Sequence, residues 1–108
     1  MIKDDSLYVD HIRECILKIE EFTKGMTLEE FYHQIAIQDA VIRNFEVIGE
    51  ATKKLSKSFI QAHPELPWSD MAGMRDKLIH DYFDIDLDVI WRTIEADIPK
   101  LKELISGI

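Results

Sequence analysis

Hydrophobic residues recur every three or four positions along most of the chain, which is the spacing of amphipathic helices. The first such stripe follows a possible cap at Ser6 or Asp5 and stops before Gly25, so it predicts a helix that runs to about Lys24. Its apolar positions are Ile12, Ile16, Ile19 and Phe22.

A short linker and the longest periodic segment come next. Thr27 and Glu30 have the spacing of a capping box, which indicates a short helical linker. The longest periodic segment runs from about Gln34 to Ala62 and predicts a central helix, although Asn44 interrupts its apolar stripe. Gly49 in this helix offers a point of close approach for another backbone. The apolar face of this segment is marked by Ile37, Val41, Ile48, Leu55 and Phe59, and widened by Ile35, Ile42 and Phe45.

A Pro-containing segment, residues 63–67, separates the central helix from two further helices. One is predicted from Trp68 to Ile79, and the other from an Asp86 cap to about Ser106, with a kink at Pro99. There is no strand-like alternation and no internal repeat. We therefore predict a single all-α domain over residues 1–108, an up-and-down bundle of four principal helices plus the short linker helix. The buried side of the third principal helix is expected to contain Met71, Met74, Leu78 and Ile79.

Composition narrows the classes of function. The hydrophobic fraction of 46% excludes disorder, and no apolar run approaches the ~20 residues of a membrane span. With no recognisable signal peptide, a cytoplasmic protein is expected. The net charge of −8 argues against a general affinity for nucleic acid, so a nucleic-acid role would require a local basic pocket. The single cysteine, Cys15, is expected to be a small buried hydrophobe.

The side chains best suited to acid–base catalysis and phosphate binding are concentrated in the segment 74–83. There, four residues separate Arg75 from His80, and one separates His80 from Tyr82. On an ideal helix, Arg75 and His80 would point about 140° apart. We therefore expect the helix to end near His80, so that the backbone beyond it turns His80 and Tyr82 towards Arg75. The three side chains would then share one pocket.

This set of residues suits the cleavage of an RNA phosphodiester, which needs a base, an acid and a cation beside the phosphate. A histidine titrates near neutral pH, and an arginine grips phosphate oxygens with two donors. The structural alternative is a helix end at which His80 interacts only with the helix dipole and Tyr82 packs its ring. Residue types alone leave both interpretations open.

Other polar residues also allow a structural and a functional interpretation. Asn44 is either an amide with satisfied hydrogen bonds or a polar wall of a site. Four acidic residues have the spacing of a calcium loop, but Val89 replaces its glycine, so we expect helix capping and no metal. No phosphate-binding loop or nucleotide fingerprint is present, so no cofactor is expected. The four acidic residues are Asp84, Asp86, Asp88 and Glu95, and the histidines expected at the surface or an interface are His11, His33 and His63.

Three segments together resemble the HepT-like toxins, members of the HEPN superfamily of all-α ribonucleases. Residues 43–51 are similar to the central-helix signature of the family, residues 67–84 to its active-site segment, and residues 91–99 to its last helix. The resemblance covers almost the whole chain.

The resemblance implies a metal-independent ribonuclease toxin that forms a homodimer, with the motifs of two subunits facing one cleft. Arg75 would bind and stabilise the scissile phosphate, His80 would act as general base or acid, and Tyr82 would complete the site. Two copies of Arg75, with Lys77 and Arg43, would make that cleft positive within an acidic surface. Arg43, Asn44 and Lys77 are accordingly the candidate substrate-binding residues. The central helix near Asn44 and Gly49 is the predicted dimer interface.

The resemblance also implies a protein partner. In the family this is an antitoxin, an MntA-like minimal nucleotidyltransferase that attaches AMP to the motif tyrosine, and Tyr82 matches that position. Asp76 and Asp81 beside the motif would orient His80, contact the antitoxin or weaken RNA binding, and sequence does not choose among these. Two alternatives to a ribonuclease toxin are a non-catalytic helical partner of a nucleotidyltransferase and a purely structural bundle.

Overall fold

The computed structural model describes residues 4–80 and 82–108, with only the backbone described at Tyr82. The described chain is helical and contains no strand, so the predicted all-α class is confirmed. Its elements in order are α1 (Asp5–Thr23), α2 (Leu28–Tyr32), α3 (Ile35–Lys54), α4 (Lys57–Ala62), α5 (Trp68–His80), a 3-10 turn (Tyr82–Asp84), α6 (Leu87–Arg92), a π-helical segment (Thr93–Asp97) and α7 (Ile98–Ser106).

Helix α1 has the predicted buried stripe, with a different residue at each end. Asp4 is the N-cap, one residue before the predicted Asp5 or Ser6, and its carboxylate accepts a hydrogen bond from the Ser6 amide at 3.1 Å. Phe22 is 39% exposed, so its predicted burial is wrong. Gly25, at φ +71°, ends the helical region, because this backbone conformation costs glycine little. The buried hydrophobic residues of α1 are Val9, Ile12, Cys15, Ile16 and Ile19.

The predicted central helix is wrong in its length, because the chain breaks after α3 and restarts as α4. Ser56 caps α4 by accepting a hydrogen bond from the Phe59 amide at 3.2 Å. The Ser56 amide and hydroxyl both donate to the Asp5 carboxylate, at 2.8 and 2.7 Å. These bonds satisfy polar groups at the break, which a continuous helix would have paired internally. At the other end of α3, Ile35 is 70% exposed and does not belong to the buried face.

The linker and the last helix agree with their predicted signals. Thr27 and Glu30 form the capping box of α2, which packs Phe31 against Trp91 with ring centroids 5.2 Å apart. Asp86 caps α6 by accepting from the Asp88 amide. Helical geometry becomes π-type over Thr93–Asp97, immediately before Pro99, where the missing N–H disfavours a regular α-helix.

The core lies where α3 packs against α1 on one side and α5 on the other, with α7 closing against α1. Arg13 of α1 donates to the carbonyl oxygens of Ile105 and Ile108, at 3.1 and 2.7 Å, and so satisfies acceptors at the end of α7. No helix in the described part of the chain is long and apolar enough to cross a bilayer.

Candidate active site

The site begins with the close packing of α5 on α3 at Gly49. Gly49 is buried, and a Cβ built on it would overlap Arg75 Cβ and lie 2.9 Å from the backbone oxygen of Met71. The predicted close approach is therefore confirmed, and it is made by α5 of the same chain. The absence of a side chain at Gly49 lets the stem of Arg75 lie directly on α3.

The Arg75 guanidinium is held by two carboxylates. Its Nε lies 3.1 Å from Glu50 Oε2, and its Nη1 donates to Asp76 Oδ1 at 3.1 Å. Asp76 also pairs with Lys53 of α3. The Arg75 side chain is only 28% exposed, and the two carboxylates fix where it presents its charge.

Two cations beside Asp76 favour the ionised form of its carboxyl group. Hydrogen bonds from Lys53 and then Arg75 stabilise the ionised carboxylate, which lowers the pKa of Asp76 below its ordinary value. The structure thus shows a role for Asp76 outside the three that sequence left open, namely pairing with Arg75 and Lys53.

His80 is the last residue of α5, so the helix ends where the motif predicted. It still belongs to the helix, however, and five helical residues separate its direction from that of Arg75 by about 140°. The backbone therefore does not turn His80 back towards Arg75. The His80 side chain is exposed and makes no hydrogen bond or ion pair within residues 4–80 and 82–108.

The rest of the motif is described less completely. Tyr82 is the first residue of the 3-10 turn, two positions beyond the last residue of α5. The Tyr82 side chain lies outside what the structure describes, as does Asp81. Phe83, the next residue of the turn, is 97% exposed. The predicted convergence of Tyr82 on the site therefore stays a prediction.

Arg75 lines a groove of about 430 Å³ bounded by α1, α3 and α5. Arg43 and Lys54 of α3 line the same groove, so three cations face one concavity of an acidic protein. Glu46 and Glu50 line it as well, so the groove offers three cations against two carboxylates. It is less acidic than the chain as a whole, whose net charge is −8, and a nucleic-acid role would depend on this local difference.

The other two predicted substrate-binding residues lie elsewhere. The Asn44 amide donates to the carbonyl oxygen of Ala40 in its own helix at 2.8 Å, as expected for an amide with a satisfied hydrogen bond. Lys77 is exposed in the last turn of α5 and does not line the groove. Of the three candidates, Arg43 alone shares the groove with Arg75.

Several residues of the site were not predicted from sequence. Glu50 pairs with Arg75 across 25 positions of sequence, and Lys53 reaches Asp76 across 23. Gly49 was the one sequence signal for these two contacts. A helix that packs on Gly49 must also pass Glu50, the next residue, and Lys53, which lies one helical turn after Gly49. Lys54 had no comparable signal.

Acidic residues near the motif form hydrogen bonds of other kinds. Asp86 is a helix cap, and Asp88 accepts a hydrogen bond from the Tyr32 hydroxyl at 2.6 Å, which raises the pKa of Tyr32. Across the described ranges, no three His, Cys, Asp or Glu side chains are arranged to hold a metal ion.

Comparisons with known proteins agree on one family. The family model described as "Ribonuclease HepT-like" matches residues 12–108. A protein of Thermococcus cleftensis named a probable ribonuclease HepT is 50% identical over 95 residues, which cover 88% of this chain and 86% of the relative.

Two further relatives extend the comparison. A protein of Caldanaerobacter subterraneus, provisionally named an RNase, is 43% identical to this chain. The alignment covers 94% of this chain and 90% of the relative. A Methanocaldococcus jannaschii protein is 48% identical over all of this chain, which spans 49% of that longer protein. Its name joins a gamma-glutamylcyclotransferase to a provisional RNase. No solved structure matches the chain.

Proposed function

The chain belongs to the HepT-like ribonuclease family, and from that premise we propose that it is a metal-independent endoribonuclease and the toxin of a cytoplasmic toxin–antitoxin pair. The observation that carries the proposal is the position of Arg75. Its guanidinium is fixed by Glu50 and Asp76 and lines a groove together with two other cations. An arginine so placed can bind a phosphate and stabilise the charge that develops on it.

The proposed reaction is attack by the RNA 2′-hydroxyl on the adjacent phosphorus. A base removes the 2′-hydroxyl proton, the new O2′–P bond forms, and the P–O5′ bond breaks as an acid protonates the departing 5′-oxygen. The products are a 2′,3′-cyclic phosphate and a 5′-hydroxyl. His80 acts as base or acid, Arg75 stabilises the charged phosphorane, and Tyr82 orients the phosphate.

We place this reaction in a cleft between two protomers. Arg75 and His80 point about 140° apart on one helix, so a phosphate between two copies of α5 can meet Arg75 of one and His80 of the other. Because α5 of the same chain covers Gly49, we place the interface at the exposed end of α5 rather than at Gly49. Light scattering at micromolar concentration should give the mass of two chains, and a monomer would contradict the shared cleft.

The cleavage itself is tested with purified protein, RNA and excess EDTA. Wild type should cut, while Arg75→Ala and His80→Ala should lose activity with their helical circular dichroism intact. Arg92→Ala and His33→Ala are matched controls on exposed residues outside the groove and should cut normally. Cleavage retained by His80→Ala would refute the assigned role of His80.

We further propose that a nucleotidyltransferase antitoxin controls the enzyme by adding AMP to Tyr82. The adenylate would bring bulk and negative charge to the place where RNA phosphate must bind. After incubation with an MntA-like nucleotidyltransferase and Mg-ATP, the intact mass of wild type should increase by one or more AMP units, with loss of RNA cleavage. Tyr82→Phe should gain none. Modification of Tyr82→Phe to the same extent would exclude Tyr82 as the acceptor.

A second candidate is a non-catalytic partner subunit of the nucleotidyltransferase. It is favoured by the two carboxylates that already neutralise Arg75 in a protein of net charge −8. This candidate predicts a stable complex with the nucleotidyltransferase and no RNA cleavage by wild type. Growth arrest on expression, dependent on Arg75 and His80, would exclude it.

A further inference from the structure

We propose that the groove beside Arg75 is a nucleobase site, which holds the base of the nucleotide adjoining the scissile phosphate and prefers bases that carry an amino group. The inference rests on the proposed ribonuclease function and extends it to residues of α1 and α3 outside the Arg75, His80 and Tyr82 motif. The volume of the groove, about 430 Å³, lies within the range of about 300–1,000 Å³ that is usual for small-ligand sites.

The walls of the groove match the parts of a nucleotide. Tyr8 of α1 supplies an aromatic ring, and Val47, Ala51 and Ile79 supply aliphatic surface. A planar base stacks on an aromatic ring irrespective of its sequence, because every base has a π face. Arg75 belongs to the same lining, so a phosphate bound to it leaves its attached nucleoside within reach of Tyr8.

Tyr8 and His11 have no polar contact in the described structure that would explain their place in the groove. Tyr8 is partly buried with its ring against the core, and His11 is exposed one turn later on the same helix. Neither side chain forms a hydrogen bond or ion pair with the described residues. Tyr8 is thus held in place by packing against the core and lines the groove, where its ring would meet a bound base.

Glu46 is the residue that would select the base. It is partly buried in the groove, and unlike Glu50 it makes no ion pair with the described residues. A carboxylate accepts hydrogen bonds and donates none. It therefore favours the exocyclic amino groups of adenine, cytosine and guanine over uracil, whose one base donor, N3–H, lies between two carbonyl oxygens that repel a carboxylate. A phosphate would be repelled by Glu46 but attracted by Arg75 and Lys54, which orients the nucleotide with its base inward.

The probe for the groove is a fluorescently labelled, fully 2′-O-methylated RNA, because it cannot be cleaved and reports binding alone. Its dissociation constant, measured by anisotropy, should rise about tenfold in Tyr8→Ala and stay within about twofold in Tyr8→Phe, which keeps the ring. Leu17→Ala, at a 56% exposed position of the same helix outside the groove, is the matched control and should bind as wild type. Thermal melts establish that each variant is folded.

Glu46→Gln sharpens the test, because an amide can both donate and accept. Wild type should bind an oligo-adenylate probe more tightly than an oligo-uridylate probe, and Glu46→Gln should reduce that preference. Equal affinity of folded Tyr8→Ala and wild type would overturn the groove as a base site. A wild type that binds neither probe would overturn it as well.

The outcomes separate this inference from the proposed function. If wild type cuts RNA but Tyr8→Ala binds and cuts equally well, the groove inference fails and the ribonuclease stands. If wild type binds the probe through Tyr8 yet cuts no RNA, the ribonuclease fails and the groove remains a nucleotide site.

Discussion

The two ends of the Arg75–His80 motif lie in contrasting surroundings. Arg75 is packed on Gly49, paired with Glu50 and Asp76, and 28% exposed. His80 is at the exposed end of α5, followed by a turn in which Phe83 is 97% exposed. The fold of one chain therefore positions Arg75, the proposed phosphate-binding cation, whereas His80, the proposed proton-transfer group, is presented at the surface, where the proposed second protomer would complete the site. Stability and activity should accordingly be coupled at Arg75 and separable at His80.

The largest expected effect is on catalysis at His80. His80→Ala should lower the rate of RNA cleavage by about 10²–10⁴-fold, because it removes the group proposed to transfer protons. The free energy of unfolding should change by less than about 0.5 kcal/mol, since the side chain is exposed. Cleavage rates and urea unfolding on the same preparation measure both. A large loss of stability would mean that His80 is part of the packed structure and would break the contrast.

At the packed end, Gly49→Ala should lower stability and activity together. The added Cβ would overlap Arg75 Cβ and approach the Met71 oxygen, so α5 must move away from α3, at a cost of about 1–3 kcal/mol. Gly73→Ala on α5 is the matched control, because its Cβ would meet no atom within 4 Å. That substitution should stabilise the helix by up to about 1 kcal/mol. Equal stability of the two variants would contradict the close packing.

The smallest effect is the pH dependence at Asp76. Its pKa is lowered in the folded protein, so its ionised carboxylate contributes stability above the ordinary pKa of about 4, and that contribution is lost as pH falls through the lower folded value. Asp76→Asn should therefore be less stable than wild type at neutral pH, with the difference shrinking under acid conditions. Chemical unfolding from pH 7 to 3 measures it. A constant difference would indicate that the pairing with Lys53 and Arg75 does not contribute.

The sequence predicted most of what local signals control. The stripe of Ile12, Ile16 and Ile19, the capping box at Thr27 and the end of α5 at His80 each depend on neighbours within a few residues. The break at Ser56 escaped prediction because the apolar spacing continues through Leu55 and Phe59, while the carboxylate that binds Ser56 is 51 positions away.

In the candidate site, too, the features that depend on near neighbours in sequence were predictable, whereas the contacts between helices were not. Arg75 and His80 were evident as a motif, but Glu50, one of the two carboxylates that pair with Arg75, is on another helix, and the groove needs α1, α3 and α5 in place. Tyr8 and Glu46 have no local signal, since their proximity to Arg75 exists only after packing. Phe22 and Ile35 show the converse, because they match an apolar pattern locally and yet lie exposed where no element covers them.

The most direct test of the account is cleavage, in excess EDTA, of an RNA and of its 2′-O-methyl counterpart with the same sequence. We predict that wild type cuts only the RNA and leaves a 2′,3′-cyclic phosphate and a 5′-hydroxyl, both identified by mass spectrometry. Cleavage of the 2′-O-methyl strand, or products that carry a 5′-phosphate, would contradict the attack by the 2′-hydroxyl on which the roles of Arg75 and His80 depend.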